Sequence, residues 1–78
     1  MIDFLYTLAK PLVLNPDAVK VFKEDTVRND GSSTYHISVE ESDIGRVVGK
    51  NGKIARAIRT VARAKAAQLG EKIFIIIE

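Results

Sequence analysis

The 78-residue chain has no cysteine and no tryptophan, a single histidine, one methionine and two prolines. Without cysteine there can be no disulfide and no thiolate metal site. His36 alone cannot build a histidine metal centre. One histidine, and no carboxylate cluster near the glycines, leave no nucleophile and base to pair. The chain therefore reads as a binder rather than an enzyme, with no metal or other cofactor. Long apolar runs are missing too. The opening MIDFLYTLAKPLVL is apolar, but Asp3 sits inside it, Lys10-Pro11 interrupts it and no basic segment precedes it. It fits neither a signal peptide nor a membrane span, so a cytoplasmic location is expected.

What is present suits one small folded domain over residues 1–78. Apolar residues make up 46% and charged residues 28%, an ordinary soluble balance. A domain of this size buries only about 60% of the surface of its unfolded chain, so a deep cavity is hard to build.

The net charge of +2 hides a segregation. Between Arg46 and Lys65 stand Arg46, Lys50, Lys53, Arg56, Arg59, Arg63 and Lys65, and no acid. From Met1 to Gly45 acids outnumber bases two to one. A concentrated basic element points to a polyanion, although a solvated helix face shows the same pattern.

Periodicity places the elements. Ile2 to about Val13 is expected to be a helix, with Asp3 as N-cap and an apolar stripe of Phe4, Leu5, Leu8 and Leu12. Asn15-Pro16-Asp17 breaks it. Ala18 to Arg28 reads as a strand, Arg28–Ser33 as a hairpin tip and Ser33 to Glu41 as a second strand. In that strand Tyr35, Ile37 and Val39 face one way, and Thr34, His36, Ser38 and Glu40 the other. His36 is expected to be solvated or to meet a neighbouring strand. Ser42 or Asp43 is expected to cap a short helix, Ile44 to Val48. A long helix follows from Lys53 to Leu69, with Gly70 as its stop. Its inward stripe is Ile54, Ile58, Val61, Ala62 and Leu69, and Lys53, Arg56, Arg59 and Arg63 form a basic stripe. Lys72 to Glu78 is a last strand, apolar on both faces, a pattern expected of a strand covered on both sides. Its connection through two helices makes it parallel to the second strand. The expectation is an α+β fold of order α-β-β-α-α-β, with three helices on one face of a three-stranded mixed sheet.

Gly49-Lys50-Asn51-Gly52 joins the short and long helices. The glycines allow positive φ and close approach of another backbone. The long helix begins beside them, with its positive dipole end and the charges of Lys50, Lys53 and Arg56. Other phosphate motifs fail. The spacing from Gly45 does not make G-x-x-x-x-G-K-[ST], and no G-x-G-x-x-G is present.

The wider string IGRVVGKNGKIARAI resembles the K-homology (KH) motif, in which a Gly-x-x-Gly core between two helices clamps single-stranded nucleic acid. The element order is similar to the type II KH fold. Nearly the whole chain, including LAKPLV and PDAV near its start, resembles the small bacterial KhpA family. The sequence departs from the common KH pattern at Ala55, where many members carry isoleucine.

The resemblance implies binding of about four unpaired nucleotides of RNA. The loop Gly49, Lys50, Asn51 and Gly52 would hold the sugar-phosphate backbone. Arg46, Lys53 and Arg56 would supply the field. Ile44, Val47, Val48 and Ile54 would floor the bases, some of them being core instead. It further implies an RNA chaperone or post-transcriptional regulator linked to cell division, cell shape and wall synthesis. Such a protein acts as a homodimer or with a larger KH-containing partner, KhpB (Jag or EloR). Ile58, Val61, Ala62 and Lys65 on the long helix are the expected partner face, unless they pack on the sheet. Phe74 and Ile76 form a rival patch. Two other readings stay open: a protein-interaction module whose glycine loop is structural, and a DNA-binding helix-turn-helix.

Overall fold

The computed structural model describes the whole chain, Met1–Glu78. Its elements are α1 (Ile2–Ala9), β1 (Lys20–Val27), β2 (Ser33–Ser38), α2 (Ile44–Val48), α3 (Lys53–Gln68) and β3 (Ile73–Ile77). The order is the expected α-β-β-α-α-β. The strands form one sheet in the order β1-β2-β3. β1 and β2 are antiparallel, with Val21 opposite Ile37 and Phe22 opposite His36. β2 and β3 are parallel, with Tyr35 opposite Ile75.

Alternation along the strands decides which face receives the helices. Val21, Tyr35, Ile37, Ile73 and Ile75 are buried in one cluster with Leu5 and Ala9 of α1, Val47 of α2, and Ile58, Ala62 and Ala66 of α3. Fully burying a side chain such as Leu5 or Ile37 contributes about 1.5–3 kcal/mol. All three helices thus cover one face. Phe22 and Phe74, on the other, remain partly exposed. The apolar run of β3 therefore does not signal a second covering layer. Phe74 is met there by the Arg28 guanidinium, 4.3 Å from the ring centre.

Several boundaries move for local reasons. α1 stops at Ala9 and tightens into a 3-10 turn, Lys10–Leu12, because Pro11 has no N–H to continue an α-helix. Met1, not Asp3, takes the N-cap position, and Asp3 lies in the first turn, where its charge suits the dipole. Pro16–Ala18 forms another 3-10 turn, which delays β1 to Lys20. β2 is shorter than expected, yet Val39 N–H still donates to the Glu78 carbonyl at 2.9 Å. At the other end of α3, Gly70 adopts φ +74. Glu71 N–H then reaches the Ala66 carbonyl at 2.8 Å and Gly70 N–H the Ala67 carbonyl at 3.1 Å, a Schellman stop.

Candidate nucleic-acid interface

The Gly49–Gly52 loop connects α2 to α3 through three residues at positive φ: Gly49 (+77), Asn51 (+58) and Gly52 (+73). A side chain is costly at such angles, and asparagine tolerates them better than most. Asn51 is the one non-glycine residue of the chain there. This conformation by itself accounts for Gly-x-Asn-Gly.

The two glycines differ in their surroundings. A Cβ at Gly49 would meet Ile54 Cγ1 at 2.6 Å, whereas one at Gly52 would meet nothing within 4 Å. Ile54 folds back on Gly49 and fixes the loop to the start of α3. Gly52 leaves open space on the outer side. The loop is tightened further by Gly52 N–H to the Gly49 carbonyl at 3.1 Å and by Lys53 N–H to the Lys50 carbonyl. Those two N–H groups are thereby occupied. The positive character of the loop thus rests mainly on side chains.

Those side chains are free. Lys50, Asn51, Lys53 and Arg56 are exposed. None of them joins the ion pairs of the structure, which lie at His36 and between Arg46 and Asp43. Lys50, Lys53 and Arg56 thus present uncompensated charge around the loop and the first turns of α3. Arg46, one helical turn before Gly49, is exposed and paired to Asp43 at 3.2 Å. Arg59 leaves the basic stripe: its Nε–H reaches over to the Ile75 carbonyl on β3 at 3.4 Å.

The expected apolar floor divides. Val47 is fully buried in the core and faces no ligand. Ile44 is 37% exposed and Val48 partly so. Ile54 turns toward α1. There it lines a shallow apolar groove of about 290 Å³ with Leu8, Leu12, Ala57 and Val61. The expected partner face divides in the same way. Ile58 and Ala62 are buried against the sheet and the other helices, so they are core. Val61 is 45% exposed, and Lys65 lies partly exposed near the Phe4 ring.

Sequence reasoning missed two residues. Gly45 sits inside α2 with nothing within 4 Å of a Cβ placed on it. Glycine costs a helix about 0.5–1 kcal/mol relative to alanine, and no packing in this chain requires it. Asp43 takes the expected N-cap position of α2, but its buried carboxylate caps no N–H of that helix and instead accepts the Leu14 and Asn15 N–H groups at 3.1 and 3.0 Å. Its spacing three residues before Arg46 was the available signal.

A family model for the KH domain of KhpA and KhpB matches residues 2–77. The chain belongs to the KhpA/KhpB KH-domain family. Relatives named "RNA-binding protein KhpA" agree over most of their length. The one from Listeria monocytogenes is 42% identical over 94% of this chain and 92% of its own. That from Caldanaerobacter subterraneus is 44% identical over 97% and 95%. That from Bacillus subtilis is 38% identical over 91% and 84%. In this KhpA/KhpB KH domain the Gly49–Gly52 turn lies between α2 and α3.

The opposite sheet face carries a second polar cluster. His36 Nε2 lies 2.6 Å from Glu24 Oε1, and Nδ1 lies 2.8 Å from Glu78 Oε1. The imidazole also stacks on Phe22, with centroids 4.6 Å apart and planes 6° from parallel. A neutral imidazole has one N–H, so two carboxylate partners require the protonated ring. Hydrogen bonding to Glu24, then to Glu78, raises the His36 pKa above the ordinary 6.5. His36 therefore has the cross-strand role expected of it. Both ring nitrogens point at different acids, so with the ring protonated the cluster is an ion-paired clasp across the sheet.

Proposed function

We propose that this domain binds unpaired RNA, with the Gly49–Gly52 loop against the sugar-phosphate backbone. The observation that carries the proposal is the cluster of exposed, unpaired cations at Lys50, Lys53 and Arg56 around a turn whose Gly52 is open to close approach. Membership in a family whose relatives are named for RNA binding supports it. Exposed Ile44 and partly exposed Val48 are the apolar residues beside the loop on which bases rest, and Gly45 lets a base come close to α2. With few aromatic rings nearby, affinity depends on phosphate contacts. Four such contacts, at Arg46, Lys50, Lys53 and Arg56, give a slope of log K on log salt of about −2.8 for a single strand.

One short domain binds weakly alone, and a second copy raises avidity. We therefore assign self-association, or pairing with a KhpB-type protein, to the flank of α3 that carries Val61 and Lys65. It adjoins the apolar groove against α1. The role that follows is that of a cytoplasmic RNA chaperone or post-transcriptional regulator, in the service of cell division, shape and wall synthesis. No helix is long and apolar enough to cross a membrane.

A titration with unpaired RNA, duplex RNA and duplex DNA tests the proposal. Unpaired RNA is expected to bind best. A preference for duplex DNA would favour a helix-turn-helix, although the five residues of α2 are short for the bracing helix. No binding to any of the three would leave a protein-interaction module.

A further inference from the structure

Asp43 holds more of the interface than its place before α2 suggests. Its side chain is only 1% exposed. A buried carboxylate is costly unless its lone pairs are satisfied. Here Oδ1 accepts the Leu14 N–H at 3.1 Å and Oδ2 the Asn15 N–H at 3.0 Å. The same Oδ1 faces Arg46 Nε at 3.2 Å. One carboxylate thus ties the turn after α1 to the start of α2 and grips an arginine one turn before the loop. The approach is closest at Nε, as an ion pair without the alignment of a hydrogen bond. The Arg46 guanidinium makes no hydrogen bond to the protein, and its side chain is 50% exposed.

We propose that Asp43 is a positioning residue for RNA. It pairs with the Arg46 guanidinium on its Nε side, which leaves the two Nη groups to take a backbone phosphate as a fork. The inference rests on the RNA-binding reading above and names how one cation of that site is presented.

The sign of the effect separates this from simple electrostatics. A carboxylate near a polyanion site repels the ligand, so its removal should tighten binding. A positioning carboxylate does the opposite. Asp43→Asn is close to isosteric and keeps one acceptor. It is expected to weaken binding of an unpaired RNA oligomer several-fold and to flatten the salt slope by about 0.7, one phosphate contact. In an Arg46→Ala background the same change is expected to have almost no further effect. Tighter or unchanged binding by Asp43→Asn would overturn the proposal. So would an equal loss in both backgrounds, which marks a purely structural role.

If Asp43→Asn does not fold, Arg46→Lys decides, since Arg46 is exposed and the change is mild. Lysine keeps the charge but lacks the Nε that Asp43 grips. Loss close to that of Arg46→Ala supports the fork, and wild-type binding contradicts it. The double variant Lys50→Asp, Asn51→Asp is run alongside. If it still binds RNA, the RNA-binding reading itself fails. If it loses binding while Asp43→Asn and Arg46→Lys match wild type, only the positioning role fails.

Discussion

Ile54 Cγ1 occupies the space that a side chain on Gly49 would need: a Cβ there would lie 2.6 Å from it. The first glycine of the loop is thus a packing residue as well as a turn residue. Its φ of +77 and ψ of 174 belong to a region open almost only to glycine. Gly52 has positive φ but open space around it.

The two glycines should therefore respond differently to alanine. Gly49→Ala is expected to cost about 3 kcal/mol, from strain and overpacking against Ile54. Gly52→Ala is expected to cost about 1 kcal/mol, the penalty of the left-handed region alone. Urea denaturation of both variants measures the difference. A costlier Gly52→Ala would show that Ile54 does not hold Gly49.

His36 makes stability depend on pH. Its folded pKa is raised above the unfolded value near 6.5 by Glu24 and then Glu78. The protonated clasp contributes fully below about pH 6.5 and is lost as pH rises through the raised folded value. Thermal melts from pH 5.5 to 9 are expected to show the midpoint falling over that window. His36→Gln should flatten the fall. An identical slope in wild type and variant would mean that the clasp does not form.

Exposure on α3 separates the proposed partner surface from the core. Val61→Glu, on an exposed residue, is expected to change monomer stability by no more than about 0.5 kcal/mol. It should also remove self-association measured by light scattering. Ala62→Glu, one residue on, buries an unpaired charge and is expected to prevent folding. A Val61→Glu protein that remains associated at wild-type concentrations would place the partner face elsewhere.

Much of this molecule is legible in the sequence because its signals are local. The Gly49–Gly52 turn, the Gly70 stop and the alternation of Tyr35 and Ile37 each follow from neighbouring residues. What was not legible depends on long-range contacts. A helical stripe does not say which of its members meets the sheet. Ile58, Val61 and Ala62 look alike in sequence, yet two are buried and one is exposed. Val47 shares a turn with exposed Ile44 and faces inward, while Ile54 is claimed by Gly49 and α1. Asp43 finds its partners in Leu14 and Asn15, nearly thirty residues away. The Glu24–His36–Glu78 clasp needed the strand register before it could be seen.

The proposed role of the Gly49–Gly52 turn is to hold RNA through charge. The most direct test is the affinity for an unpaired RNA oligomer across a salt series, for wild type and for Lys50→Asp, Asn51→Asp. Aspartate tolerates the positive φ of Asn51, and Lys50 is exposed, so the fold should survive. Wild-type affinity is expected to fall steeply with salt, and the variant to show no binding at moderate salt while melting like wild type. A folded variant that binds RNA as well as wild type at moderate salt would mean that the turn does not hold RNA.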